Sequence, residues 1–196
     1  MILFIQQHWQ EITGASFGLL YLYFEYKADI KMWPTGIIMS LFYVYVFIDA
    51  GFYAFAGINT YYIVAQIYGW YKWGKGSQVD KPIGRFPSTY FLPILGVLVV
   101  LFLVLAYLLM KLGESPVAWG DSFITSLNII AIWMLMQKHA EQWIPLIIAN
   151  VASIFIFLWQ GLYPTSFMYL VYAVVSVFGY FNWRNMANKH NGNIPS

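Results

Sequence analysis

The chain has no cysteine and very little charge: 8 acidic and 10 basic residues in 196, or 9% charged. Soluble domains carry about 25%, so composition excludes an ordinary soluble domain. Without cysteine there is no disulfide framework and no thiolate metal site, and redox compartment goes unmarked. The formal net charge of +2 is too small and too dispersed for a nucleic-acid surface. Enzymatic motifs are missing as well. There is no GxSxG elbow, no HExxH pair, no phosphate-binding glycine loop and no pair of carboxylates inside an apolar run. His8, His139 and His190 stand at the flanks of apolar runs without metal-like spacing and read as solvated. No metal or cofactor is expected. The opening residues, MILFIQQHWQ, hold no Lys or Arg and no small-residue cleavage pattern, so the first apolar segment is expected to stay in the membrane.

What is abundant is apolar and aromatic: 61% hydrophobic residues, including 9 Trp, 16 Tyr and 16 Phe. The runs are continuously apolar and do not alternate as barrel strands do. Windows of about twenty residues cross a roughly 30 Å hydrocarbon core. They predict seven spans, over about 10–26, 33–49, 52–72, 88–110, 118–137, 142–160 and 164–183. The predicted fold is an all-α membrane protein, one transmembrane domain over 1–196, in the cell (inner) membrane. The fourth run, YFLPILGVLVVLFLVLAYLLM, is almost free of polar groups and can face lipid. With the N-terminus outside, nine of the ten cations fall on the cytoplasmic side and only Lys111 outside. Cations favour the cytoplasm, which predicts N-out and C-in.

Shifting the sequence by 110 residues superposes Trp33 on Trp143, Phe47 on Phe157, Gly51 on Gly161, Tyr53 on Tyr163, Gly69 on Gly179 and Trp73 on Trp183. With Ile37, Ile38, Tyr62 and Val64, ten of 41 gap-free positions match. A four-residue slip also brings Gly14 to Gly120. Helices one to three thus correspond to helices five to seven, with the clean fourth as connector. Both halves then enter the membrane in the same direction, a parallel three-plus-one-plus-three repeat whose natural site lies between the halves. Repeat one covers about 10–73, the connector 88–110 and repeat two 118–183. Gly51 and Gly161 are the expected hinges; Gly69 and Gly179 suit either hinging or close packing.

Polar side chains recur at helical spacing inside these spans. The third helix carries Asn59, Tyr62, Gln66, Trp70 and Trp73, and the seventh carries Tyr169, Tyr172, Ser176, Tyr180 and Trp183. The fifth offers Asp121, Thr125 and Asn128; the sixth offers Asn150, Ser153 and Gln160. Amides at membrane depth cost free energy unless paired or wet, so convergent stripes predict a polar, aromatic-walled cavity. Plainer explanations exist for each residue alone. Interhelical bonds of this kind contribute about 0.6 kcal/mol on average, Trp70, Trp73 and Trp183 suit an interfacial aromatic belt, and Asp121 could cap a helix. Gln160 and Tyr163 beside Gly161 could close a turn. No acid or histidine is read deep in a helix, which favours a facilitator over a proton-coupled pump. A scaffold or small intramembrane enzyme is the reading from another class. The first would keep polar residues on outward faces, and the second would show a titratable pair.

In order along the chain, Gly120-Asp121, Thr125, Leu127, Ala131, Glu141-x-Trp143, Asn150, Gln160-Gly161-x-Tyr163, Tyr169 and Gly179-x-x-x-Trp183 form a pattern. It resembles the second half of the Pnu-type vitamin transporters, known for nicotinamide riboside uptake; the first half joins through the repeat. The resemblance implies a fold related to the sugar-transporting SWEET proteins, one centrally held small molecule, and facilitated diffusion across the bilayer. It also implies a cytoplasmic kinase that traps the imported solute, and it is compatible with a homo-oligomer. Stripes and resemblance together give a substrate-binding set of Asn59, Tyr62, Gln66, Asn128, Trp143, Asn150, Gln160, Tyr163, Tyr169 and Tyr172. Nicotinamide riboside members show Trp-x-x-Trp where this chain has Trp143-Ile-Pro-Leu146, and a small Ser where it has Asn128. Nicotinamide riboside therefore shares the field with thiamine, carried by a sister branch, and with riboflavin. The first two are cationic, and aromatic walls would add cation–π attraction of about 0.5–2 kcal/mol.

Overall fold

The computed structural model describes residue 13 and residues 16–49, 51–79, 81–113 and 115–191. Among the described residues are seven helices and no strand. They are α1 over 16–26, α2 (Met32–Asp49), α3 (Tyr53–Gly74), α4 (Phe91–Leu112), α5 (Ala118–Met136), α6 (Trp143–Trp159) and α7 (Tyr163–Asn191). Short 3-10 turns, Ser88–Tyr90 and Ala140–Gln142, lead into α4 and α6. Pro34, Pro93 and Pro145 each occupy the third position of a helix. First-turn N–H groups have no intrahelical acceptor, so proline costs no hydrogen bond there.

Among the described residues, five helical segments are long and apolar enough to cross a membrane: Met32–Asp49, Ser88–Leu112, Ala118–Met136, Ala140–Trp159 and Thr165–Lys189. Helix α3 has the length, 22 residues, but Asn59, Thr60, Gln66 and its tyrosines dilute its hydropathy. The predicted start of the first span, about residue 10, lies outside the described residues; the other predicted and observed boundaries agree closely except at α7, which runs past Trp183 to Asn191. Hydropathy stops at Arg184, but the helix does not, because Arg, Met, Ala and Lys are good helix formers and no Gly or Pro intervenes.

The chain forms two compact units, Met1–Val79 and Asp80–Ser196. In the first, α2 packs on α3. Trp33, fully buried, meets Trp73 edge to face with centroids 5.7 Å apart at 81°. Gly69 lies under the Trp33 ring, where an added Cβ would stand 2.4 Å from the ring. In the second unit α6 packs on α7 by the same device. Trp143, also fully buried, meets Trp183 at 6.0 Å and 85°, and a Cβ on Gly179 would stand 2.6 Å from the Trp143 ring. Trp73 and Trp183 are therefore core, not the interfacial belt expected of tryptophans near helix ends; Trp70, 46% exposed, fits a belt.

The turns correspond too. Gly51 and Gly161 have φ of 78° and 74°. In each, the glycine N–H bonds the carbonyl three residues back, and the next N–H bonds five back: Phe52 to Phe47 and Leu162 to Phe157, both at 2.8 Å. This is a glycine C-cap in the left-handed region. Before α2 and α6, Ala28 and Lys138 adopt φ of 53° and 60°. They donate to Glu25 and Leu135 at 3.0 and 2.9 Å. The partner proposed for Gly120 by the slipped alignment, Gly14, lies outside the described residues.

In the second unit α4 packs on α5, and Ala106 and Leu109 of α4 are each 1% exposed. Phe102 rests against Trp119 and Phe123, at 5.5 and 6.2 Å.

These two kinds of glycine predict different responses. Gly179→Ala drives a methyl into a buried ring and should cost about 1–3 kcal/mol, the usual range for overpacking. Gly161→Ala meets no atom within 4 Å and suffers only left-handed strain of about 1–2 kcal/mol. Gly161→Asn should recover much of that strain, whereas Gly179→Asn should not, as read by thermal unfolding in detergent.

Candidate substrate site

Depth sorts the predicted residues first. At 1.5 Å per residue, Trp143 stands about 10 Å along α6 from Asn150, and Gln160 about 15 Å beyond it. One small solute cannot touch all three. Trp143 is committed to packing on Gly179 and Trp183, and its indole Nε1 finds no acceptor among the described residues. Gln160 and Tyr163 are exposed at the α6–α7 corner, Tyr163 by 68%. The turn they flank is closed by backbone bonds around Gly161.

The central levels hold the amides. In the first unit Gln66 is 4% exposed, and its Nε2 donates to Ser40 Oγ at 3.2 Å. Gly36 makes room: a Cβ there would lie 2.8 Å from Gln66 Oε1 and 2.9 Å from the Tyr21 ring. Oε1 itself is buried without a donor among the described residues. In the second unit Asn150 Nδ2 donates to Ser176 Oγ at 3.1 Å, and that hydroxyl donates to Tyr172 O at 2.7 Å. Ser40 and Asn150 are 110 residues apart, as are Gln66 and Ser176. Each unit thus joins its paired helices by one amide–hydroxyl bond at the same level, with the two residue types exchanged. Sequence matching missed Ser40, because the exchange scores as two mismatches.

The remaining residues divide. Asn59, half-buried, donates to Phe55 O of its own helix at 2.9 Å. Tyr62 and Tyr172 are half-buried, and Tyr169 stacks on Phe157 at 5.1 Å. Asn128 is half-buried midway along α5 and makes no hydrogen bond to the described residues. Thr125 is buried one turn away. Asp121 does not cap α5; it accepts from Ser115, whose Oγ accepts in turn from Val117 N at 3.0 Å.

Sequence reading also missed Glu25. This carboxylate in the last turn of α1 is 2% exposed and hydrogen-bonded by Tyr21. With Lys27 two residues on, it looks solvated in sequence. His139, expected to be solvated, is half-buried with its ring 5.4 Å from Phe86.

Glu141 proves structural. Arg85 Nε and the Phe86 N–H both donate to its carboxylate at 2.6 Å. Gly84 pairs with the same corner, its N–H to Lys138 O and its carbonyl from Ala140 N, both at 2.9 Å. Glu141 raises the Arg85 pKa above its ordinary value through that hydrogen bond and charge. The segment before α4 is thereby fastened to the α5–α6 corner.

A family model described as "Nicotinamide mononucleotide transporter" matches residues 8–185. The chain belongs to this transporter family. It is a multi-pass membrane protein whose family works by transport and not by catalysis. The nicotinamide riboside transporter PnuC of Escherichia coli strain K12 is 24% identical, over 92% of this chain and 87% of that protein. The riboflavin/roseoflavin transporter RibM of Streptomyces davaonensis is 23% identical, over 89% and 84%. The crystal structure of the Vitamin B3 transporter PnuC matches with a TM-score of 0.77 at 24% identity, covering 96% of this chain and 86% of that one. That likeness carries the fold.

The exchanged amide–hydroxyl pairs give a direct test. Gln66→Ser alone should remove one interhelical bond at a cost of about 0.6 kcal/mol, and at most about 1.7. Ser40→Asn combined with Gln66→Ser recreates the arrangement of Asn150 and Ser176 and should restore the lost stability. A double variant no more stable than Gln66→Ser would show that the two levels are not equivalent.

Proposed function

We propose that this chain mediates uptake of a vitamin-class solute of the nicotinamide riboside type by facilitated diffusion, with a cytoplasmic kinase trapping the product. The carrying observation is membership of the transporter family together with relatives that match nearly end to end and are named for nicotinamide riboside. The relative named for riboflavin favours riboflavin as a second reading. Both solutes join a flat heteroaromatic ring to a hydroxyl-bearing group. Thiamine is the remaining candidate.

The proposed architecture is the parallel repeat of about 10–73 and 118–183 around connector 88–110, N-out and C-in, within one domain. Support comes from turns, glycine–tryptophan contacts and amide–hydroxyl pairs that recur at the same 110-residue interval. The proposed contacts are the amides Asn59, Gln66, Asn128 and Asn150 with Tyr62, Tyr169 and Tyr172. Gln66 Oε1 and the Asn128 amide retain hydrogen-bonding capacity for a solute. Trp143 backs this set from the core, and Gln160 and Tyr163 meet the solute separately, as it passes the α6–α7 end. Gly51 and Gly161 act as hinges, because their φ values tie each turn to a residue without Cβ.

Purified protein in liposomes should equilibrate labelled nicotinamide riboside faster than riboflavin or thiamine, and should not concentrate it without a kinase. Asn150→Ala should lower uptake at least about ten-fold if the amide bonds the solute, an effect of 1.4 kcal/mol or more. Concentrative uptake driven by a proton gradient and abolished by Glu25→Gln would replace the facilitator with a coupled carrier. A fluorescent-protein fusion after Asn191 should glow, since the tail is cytoplasmic; a dark fusion with an active periplasmic reporter would invert the topology.

A further inference from the structure

We propose that the groove between α4, α5 and α6 binds an anionic phospholipid, one acyl chain lying in the groove and the phosphate resting among the cations at its Glu141 end. The groove encloses about 240 Å³ and is walled by Phe91, Leu95, Leu98, Ile130, Met134 and Ile148. Among the described residues Glu141 is the one charged residue lining it, and both its oxygens accept hydrogen bonds, from Arg85 and Phe86 N. A solute with hydroxyls or amides would lose its hydrogen bonds to water there and find none in return. This groove is therefore unsuited to the transported solute. Phe91, Leu95 and Ile148 are 66%, 43% and 45% exposed on helices that cross the bilayer, so a lipid tail can enter sideways.

The charge at one end selects the headgroup. Arg85 is bonded to the groove-lining Glu141, and Lys138 Nζ donates to Lys81 O at 2.9 Å. The Arg85 and Lys138 side chains and the Lys81 backbone meet at the corner that closes the groove, and segments 80–85 and 138–141 carry three cations against Asp80 and Glu141 in the sequence. The excess is positive. Basic pockets between membrane helices hold anionic lipid heads, and guanidinium with phosphate forms charge-assisted hydrogen bonds. A choline lipid would bring its own cation to the same place. The proposal is independent of the transported solute, and its failure would leave the transport reading untouched.

The full chain in nanodiscs is illuminated with phosphatidylglycerol or phosphatidylcholine bearing a diazirine in one acyl chain, and labelled peptides are mapped. Phosphatidylglycerol should label 94–98 and 144–148 about five-fold more than phosphatidylcholine, the preference expected of about one net cation near the surface. Lys81→Gln with Lys138→Asn, Asn being suited to the left-handed backbone at 138, should erase the preference. Leu98→Trp should fill the groove and suppress labelling there by both lipids. If that variant does not fold, the charge variant and the map on the unsubstituted protein still decide. Equal labelling by the two lipids would overturn the proposal. So would groove labelling no greater than at Val99 and Leu103, which are 48% and 53% exposed, or photo-crosslinks to a second copy in place of lipid.

Discussion

A tryptophan lying over a glycine sets the register of α2 on α3, and the same contact sets α6 on α7. Apolar side chains gain little by leaving lipid for one another, so helices in a bilayer associate through close packing and polar bonds. A glycine lets the indole ring reach the facing backbone, and the edge-to-face partner adds about 0.5–1.5 kcal/mol beyond its area. The helices are antiparallel, so each further level lies seven residues on along one and seven back along the other. Trp33 with Trp73 leads to Ser40 with Gln66; Trp143 with Trp183 leads to Asn150 with Ser176, then to Phe157 with Tyr169. Each level is about 10 Å from the last. The indoles thus decide that an amide meets a hydroxyl near mid-helix.

The bilayer then dictates what polar groups do at that depth. Several hydroxyls return to their own helices: Ser122 to Ala118 O, Ser153 to Ala149 O, Thr60 to Ala56 O. Such bonds satisfy the side chain without a partner helix. The amides cannot be satisfied so simply, since each carries two donors and two acceptor lone pairs. Gln66 uses Nε2 on Ser40 and leaves Oε1 unmatched in a buried place. An interhelical bond worth about 0.6 kcal/mol is a poor reason to bury a glutamine. Unspent hydrogen-bonding capacity at a fixed depth is what solute recognition requires.

Much of this was legible in the sequence because tryptophan and glycine are rare in chance matches and their contacts need those residues. Gly69 with Trp33 and Gly179 with Trp143 appear in the alignment as matched letters and in the structure as one contact made twice. The Ser40–Gln66 and Asn150–Ser176 bonds were illegible for the opposite reason: what is kept is a pair chemistry, and the letters trade places. Hydropathy misled where it measured the wrong variable. It ended α7 at Arg184, although charge ends only the membrane-embedded part of a helix. Position near helix ends likewise offered an interfacial belt for Trp73 and Trp183, although both are 6% exposed or less. Glu25 hid in the same way, since being near the end of an apolar run does not reveal that Tyr21 covers it. The candidate residues were read as stripes, but their division by depth required the observed packing.

The exchange of residue types also has a chemical consequence. On its paired helices the first unit presents amides from α3, Asn59 and Gln66, where the second presents Tyr169 and Ser176 from α7. The second unit supplies its amides from α5 and α6 instead, through Asn128 and Asn150. Two units with matching backbones thus carry different donors and acceptors at corresponding levels. A solute with a flat ring at one end and hydroxyls at the other is itself unsymmetrical, and identical sets of donors and acceptors would suit only one end well. Under the proposed function, backbone correspondence lets each unit move comparably, while side-chain divergence orients the cargo. Side chains can diverge in this way without disturbing the movement because the glycine–tryptophan contact that sets register is made by other residues, Gly69 and Gly179 standing about one turn from Gln66 and Ser176.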